Sequence, residues 1–413
     1  MDNRPDVLYV TYDGLTDPLG QSQIIPYLAG LSKYGYNIHI LSCEKKKRFA
    51  EQKTNIEKVL RKSGIVWHPV SYTRKPPVLS TLYDIMHLKL RARKLNKEHQ
   101  FSMVHCRSYI AAFVGLYLKR KAGAKFIFDM RGFWADERVD GKLWDLKSPL
   151  YRAIYKYFKK KERCFLCSSD VVVSLTENAK TEIGTNFNLK EKTSQIEVIP
   201  CCADTGFFSR EKIDENERNI LSQQLGISPG DFVVSYSGSI GTWYMQDEML
   251  DFFKRLHTVY TNARLFFITH DEPEKIIKAA SQKKIDVKKI IVAKASREQM
   301  PVMLSLSSMA LFFIKPVYSK KASSPTKMGE LMSMGIPFVT NAGIGDVDDF
   351  VKKTGTALLV NDFTDTCYDE VIRNIPKLLM LDPGYIRICA MADYSLDHGI
   401  SVYHKIYDRL LHK

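Results

Sequence analysis

What most constrains this chain is an alternation. Short, almost purely apolar runs recur along it, each followed by a stretch with helical spacing of apolar residues. In the first half the runs are LYVTYD, NIHILSC, IVWHPV, SMVHCR, KFIFDM, VVVSL and IEVIP. In the second half they are FVVSYSG, ARLFFIT, KIIVA, MALFFIK, IPFVT and ALLV. A run too short for a helix and lacking polar alternation suits a strand buried on both faces. Such strands, separated by helices, pair in parallel. Two series in one chain predict two doubly wound, Rossmann-like α/β domains. The 413 residues suffice for both, and an apolar content of 45% supplies their cores. Turn and charged residues cluster in PCCADTGFFSREKIDENERN, which places the domains at 1–205 and 206–385. Residues 386–413 end in SVYHKIYDRLLH, a terminal helix with its own apolar stripe.

Several classes are excluded. No run approaches the ~18 apolar residues of a membrane span. The N-terminus, MDNRPDVLYVTYDG, lacks the basic and apolar regions of a signal peptide, which predicts a cytoplasmic protein. Cys164-Phe-Leu-Cys167 has redox or metal spacing, but no second pair or nearby histidine completes it, so reduced thiols are expected. No histidine pair has metal-ligand spacing, and no Gly-x-Ser-x-Gly elbow is present; no metal or cofactor is expected. The net charge of +15 is unevenly placed: residues 1–200 carry 35 Lys and Arg against 20 Asp and Glu, and the remainder 26 of each. Such a basic surface suits nucleic acid, anionic lipid or a phosphorylated substrate. No nucleic-acid reading module accompanies it.

Ligands of open parallel sheets bind beyond the carboxyl ends of the strands, and two such domains make the cleft between them the natural site. The loops after strands therefore matter most. In SSPTKMGELMSMGIPFV, Ser323, Ser324 and Thr326 can cap a helix, and Pro325 suits its first turn. Free amides at that end favour an anion. Lys327 is unfavourable there on dipole grounds and makes sense beside a phosphate. Glu330, about one turn further, could hold a ribose diol. Gly335-Ile336-Pro337 then ends the helix. A well-capped structural helix with a surface lysine would give the same letters. DGLTDPLGQSQ, after the first strand, offers Gly14, Gly20, Gln21 and Ser22 for close backbone approach; SGSIGTWYM offers Gly238, Ser239 and Gly241. Neither is a dinucleotide fingerprint or a P-loop. FDMRGFWADERVDGKLW places Asp129, Arg131, Asp136, Glu137 and Arg138 after a strand, as a functional cluster or an ion-pair network. His105 and His270 end strands. Asp346-Val347-Asp348 has the DxD spacing of metal-dependent sugar transferases, but a helix start there explains Asp346 as a cap.

In order along nearly the whole chain, these segments resemble retaining GT-B glycosyltransferases of family 4 type (glycosyl transferases group 1). DGLTDPLGQSQ is similar to their glycine loop at the donor diphosphate. VVVSLTENA with VIPCCADTGFF resembles their strand, helix and hinge, and SPTKMGELMSMGIPFV their donor-binding helix, in which the last glutamate of E-x7-E grips the ribose. The final helix resembles the segment that packs back on the N-terminal domain. Three positions depart from the pattern. Ala322 stands for the first glutamate, Arg131 for a histidine after a mid-domain strand, and Cys201-Cys202 for Asn-Gly. Lys320 and Lys321 flank Ala322 and could read an acidic sugar or line a solvated loop.

The resemblance implies transfer of a sugar, with retention and without a metal, from a nucleotide diphosphate sugar to an acceptor hydroxyl, UDP being favoured over GDP. Lys327 and the amides near Ser324, Thr326, Gly238, Ser239 and Gly20 would stabilise the leaving group. Gln21 would line the donor site, Glu330 would hold the ribose, and Arg131 would face the reacting sugar or the acceptor. The acceptor, a saccharide or a lipid-linked intermediate of cell-surface polysaccharide, is expected on the basic N-terminal domain near Arg138, Lys159 and Lys160. CEKKKRFAEQKTNIEKVLRKSG and SPLYRAIYKYFKKKERCFL could rest on an anionic membrane, making the protein peripheral on the inner face of the cell membrane, or be solvated helix faces. A sugar-nucleotide epimerase or hydrolase and a non-catalytic sugar-nucleotide-binding protein are the alternatives.

Overall fold

A computed structural model describes residues 4–187, 189, 191 and 195–412. The chain divides into two compact units, Met1–Cys202 with Leu396–Lys413, and Ala203–Ser395.

The first unit runs β1 (Asp6–Thr11), α1 (Pro18–Gln23), α2 (Ile25–Ser32), β2 (Asn37–Glu44), α3 (Lys46–Lys62), β3 (Val66–Ser71) and α4 (Leu79–His99). It continues through β4 (Met103–Arg107), α5 (Ser108–Ala122), β5 (Lys125–Asp129), α6 (Trp134–Asp140) and α7 (Pro149–Ser168). β6 (Val171–Ser174), α8 (Glu177–Asn186) and β7 (Ile196–Val198) complete it. Among the described residues its strands form one parallel sheet in the order β3-β2-β1-β4-β5-β6-β7. Pro69 lies in β3 at an edge, where a missing donor does least harm. The order reverses between β1 and β4, which makes their carboxyl ends the switch point of this unit.

The C-terminal helix, Leu396–Leu411, belongs to the same unit and buries Ile400, Tyr403, Ile406 and Tyr407 in its core. Gly399 allows its approach: a Cβ there would lie 2.8 Å from the Tyr27 ring and 3.0 Å from Cys202 Sγ.

The second unit runs α9 (Glu215–Gln224), β8 (Phe232–Ser237), α10 (Gln246–Val259), β9 (Ala263–Ile268), α11 (Pro273–Gln282), β10 (Ile290–Ala293) and α12 (Met300–Ser305). It ends with β11 (Met309–Phe312), α13 (Thr326–Ser333), β12 (Phe338–Asn341), α14 (Val347–Thr354), β13 (Ala357–Val360), α15 (Asp365–Leu379) and α16 (Pro383–Asp393). The sheet order among the described residues is β10-β9-β8-β11-β12-β13, all parallel, with its switch point between β8 and β11.

Two boundaries differ from expectation. The first unit ends at Cys202 and not at 205, and residues 386–395 stay with the second unit. The cause of the latter is α16. The Asp382 carboxylate accepts from Gly384 N and Tyr385 N, and Pro383 opens the helix. Arg387 then donates to the carbonyls of Thr205 (2.7 Å), Phe208 (2.9 Å) and Ser333. Among the described residues no helix is long and apolar enough to cross a membrane.

Candidate active site

The switch point of the second unit brings together the two loops singled out in its sequence. The loop after β8 contains Gly238, and the loop after β11 leads into α13. Pro325, not a serine or threonine, occupies the N-cap position. Pro325 has no N–H and an extended backbone, so the helix starts directly behind it. Ser323, Ser324 and Thr326, expected as caps, thus flank the N-cap position and do not occupy it.

Lys327, in the first turn, is not a surface lysine. Its side chain is buried and Nζ has no hydrogen-bond partner. The ammonium lies 3.7 Å from the ring centre of Tyr244, 4.1 Å from that of Tyr236 and 5.6 Å from that of Phe312. Gly238 faces it: φ is +116°, and a Cβ at that position would stand 3.5 Å from Nζ. The missing side chain leaves the cation open to the backbone of that loop. The loop is fixed by its own bonds. Gly238 N donates to Ile268 O (3.0 Å), Ile240 N to the Asp271 carboxylate, and Tyr236 OH to Ser239 O (2.6 Å). The amide of Gly238, expected as a ligand donor, is therefore already committed, as is that of Ile240.

Burial pushes the Lys327 pKa well down, and only Glu330 opposes it. Glu330 is half-buried one turn on. Burial pushes its carboxyl up to about 7, against the pull of Arg297 and Lys327. Arg297, in the loop after β10, lies over Phe207 at 5.2 Å. An uncompensated buried ammonium is costly, and an anion seated on it would remove that cost. Tyr236, Tyr244 and Arg297 escaped the sequence reading. Their signal was position, since each lies at or just past the carboxyl end of a strand.

Nearby, Ala322 is buried and Lys320 packs its ammonium 3.8 Å from the Trp243 ring centre. Lys321 is exposed, over Tyr318. In the DxD segment Asp346 occupies the N-cap position of α14, as expected, and the Asp348 carboxylate accepts from Gly343 N (3.0 and 3.1 Å).

The first unit's switch point is filled by its own side chains. Gly20 is a packing glycine: a Cβ would meet Gly14 O at 2.3 Å and Leu15 Cα at 2.6 Å. Gln21 Nε2 donates to Thr16 O (3.3 Å). The amides of Leu15 (2.8 Å) and Thr16 (3.2 Å) donate to Glu44, a residue the sequence did not point to. Arg131, expected to face the reacting sugar, turns inward. Its guanidinium lies 3.8 Å from Asp129 Oδ1 and 3.2 Å from Cys201 Sγ. Arg107 (3.8 Å) and His105 (3.6 Å) face the same carboxylate, and His105 Nδ1 bonds Tyr407 OH (2.8 Å). Burial opposes ionisation of Asp129, yet Arg131, His105 and Arg107 hold its pKa below the ordinary value.

The three residues expected on the acceptor side separate. Lys159 is held inward by Asp136 (2.8 Å) and Glu162 (2.6 Å), because these buried carboxylates need a counter-charge. Lys160 is exposed. Arg138 stacks on Trp134 at 4.8 Å and lines a cavity of about 610 Å³. Of the two basic helices, α3 buries Ile56 and Leu60 and presents a charged outer face.

Two Rossmann-like units, one with seven parallel strands and one with six, define the GT-B fold class. Residues 26–207 match the model of Glycosyltransferase Family 4. Among solved structures, a glycosyltransferase from Rickettsia africae ESF-5 is similar with a TM-score of 0.70 and 14% identity, over 99% of each chain. HepE (Alr3699) of Anabaena in complex with UDP and glucose gives 0.65 and 12%, over 97% of this chain and 99% of that one. UDP-GlcNAc 2-epimerase from Neisseria meningitidis bound to UDP-GlcNAc gives 0.58 and 13%, over 99% and 100%. No curated protein matches the chain in sequence.

Proposed function

We propose that this protein is a glycosyltransferase that moves a sugar from a nucleoside diphosphate sugar, preferably a UDP-sugar, to an acceptor hydroxyl. The observation that carries the reading is the buried Lys327 ammonium, without a hydrogen-bond partner, beside the bare backbone of Gly238. The likeness to solved structures holding UDP and glucose or UDP-GlcNAc, and the family match over 26–207, agree with it.

In the reaction the bond from the anomeric carbon to the diphosphate oxygen breaks, and one to the acceptor oxygen forms. The acceptor proton leaves with the diphosphate. Negative charge grows on the leaving group, and a cation already in place stabilises it without reorganisation. Lys327 has this role, and Glu330 accepts from the ribose hydroxyls. The ammonium takes the place a divalent cation would fill, so transfer proceeds in EDTA. Transfer occurs with retention. The acceptor is a saccharide or lipid-linked intermediate of cell-surface polysaccharide, bound to the basic first unit, and the protein works in the cytoplasm at the membrane surface.

The test is a thermal-shift panel of nucleotide sugars on the parent, Lys327→Ala and Glu330→Ala. A UDP-sugar should stabilise the parent, and both variants should lose most of the shift. Equal shifts in all three would remove these residues from the site. Incubation of the preferred donor without acceptor separates transfer from epimerisation, since an epimerase would convert it.

A further inference from the structure

Helix α4 has apolar residues on both sides. Ile85, Leu88, Ala92 and Leu95 face the core. Leu79, Leu82, Tyr83, Met86 and Leu90 form a stripe on the opposite face, each between 48% and 64% exposed. A surface helix normally has a polar outer face. On α7, Leu150 and Tyr157 are likewise exposed, as is Leu143 just before that helix. An exposed apolar surface of this extent marks an interaction site.

The stripe runs into the 610 Å³ cavity, because Leu82, Leu143 and Tyr157 both line the cavity and are exposed. The interior is aromatic, with Tyr12, Tyr72, Trp134, Trp144, Tyr151 and Phe158. Trp134 packs on Phe158 at 4.8 Å and on Trp144 at 5.4 Å. Tyr12 OH (2.8 Å) and Thr73 N (3.2 Å) both donate to Asp84 Oδ2, which fixes the loops after β1 and β3 to α4. The only charged side chains in the lining are Arg74 and Arg138. The volume is that of a small-molecule site.

Charge identifies the neighbour. Between 74 and 97 the chain has seven Lys or Arg and one acidic residue, Asp84, which is buried. Between 142 and 161 it has six more besides Lys159, which Asp136 and Glu162 neutralise, against Asp145. A basic surface around an apolar stripe fits the surface of an anionic bilayer.

We infer that α4 and α7 seat the first unit on an anionic membrane, and that the aromatic cavity between them takes the hydrocarbon chain of a phosphate-headed lipid, its phosphate on Arg74 and Arg138. This rests on the transferase reading only in making the lipid the acceptor; binding itself is independent of it.

The test uses the full chain with farnesyl phosphate in calorimetry and phosphatidylglycerol/phosphatidylcholine vesicles in flotation. Farnesyl phosphate should bind saturably, farnesol at least tenfold more weakly, and inorganic phosphate not detectably. Ala153→Trp, at an exposed lining position, should abolish binding. Met86→Glu with Leu90→Glu should reduce vesicle recovery at least tenfold and leave farnesyl phosphate binding intact. Brominated phospholipid should quench Trp134 and Trp144, measured with the other tryptophans replaced by Phe. Each variant should keep the parent's thermal response to UDP, which shows it is folded and separates this outcome from failure of the donor site. Absence of saturable binding, or equal binding by Ala153→Trp, would overturn the cavity assignment. Equal flotation of the double variant would overturn the seating.

Discussion

Replacing Lys327 by Met should stabilise the protein and disable it together. The ammonium is desolvated and has no hydrogen-bond partner, a state costing several kcal/mol per ion. The rings of Tyr244 and Tyr236, at 3.7 and 4.1 Å, return part of this, about 2 kcal/mol or more for a desolvated cation–π contact. Met keeps the length of the stem and places sulfur among the same rings, a contact of ~0.3–1.5 kcal/mol. The balance favours Met by roughly 1–3 kcal/mol, or about 2–12 °C in Tm for a unit of this size. Nucleotide binding should move the other way. Truncating one partner of a buried charge pair costs about 2–5 kcal/mol, which raises the Kd for UDP between ~30-fold and a few thousand-fold. Differential scanning fluorimetry reads the first effect and calorimetry the second. Because burial lowers the Lys327 pKa and a diphosphate would raise it again, parent binding should take up protons, visible as a dependence of the heat on buffer ionisation enthalpy. A lower Tm with unchanged UDP affinity would refute this account.

Two further substitutions test the charge assignments. The Glu330 carboxyl, pushed from its ordinary 4.5 up to about 7, holds its proton more tightly in the folded than in the unfolded chain. Its contribution to stability is complete below the unfolded value and is lost as pH rises through about 7; in urea titrations across that range Glu330→Gln should lack this slope. Asp129→Asn removes the carboxylate that faces Arg107 and Arg131 at 3.8 Å and should cost about 3–5 kcal/mol in urea unfolding. It should leave the UDP response of the second unit in place.

All thirteen apolar runs are strands, because a strand covered on both faces of a parallel sheet has no polar alternation to confuse it. That Lys327 and Glu330 lie one turn apart on a helix after a strand was legible. That Lys327 points into an aromatic pocket was not, because Tyr236 and Tyr244 lie more than 80 residues upstream. Gly20 stood in the sequence for a close approach to the donor, and the structure sets it against the carbonyl of Gly14 in its own loop. Arg131 stood in the sequence as part of a functional cluster or an ion-pair network, and the structure shows the network, whereas Lys159 looked like an outward charge. Burial of Asp129 and Glu162 beside them turned both inward, and local sequence carries no sign of that burial. The apolar outer face of α4 hid for the opposite reason: LSTLYDIMHLKL spreads apolar residues over more than one face of the helix, so no single stripe stands out.

The two switch points have the same topology and opposite electrostatics, which bears on how each unit meets anions. In the first, the cations surround Asp129 and the enclosed cavity is about 10 Å³, room for roughly one water. The unit's excess charge therefore lies on its outer faces, in reach of salt. In the second, residues 203–395 carry 23 Lys and Arg against 24 Asp and Glu, yet one buried cation has no hydrogen-bond partner. Buried charge is screened far less than exposed charge. Vesicle binding should accordingly collapse between 0.05 and 0.5 M NaCl, where the Debye length falls from about 14 Å to about 4 Å, while the Kd for UDP changes only a few-fold. If UDP affinity falls as steeply as vesicle binding, the nucleotide is held by the exposed basic surface, and Lys327 is not its anchor.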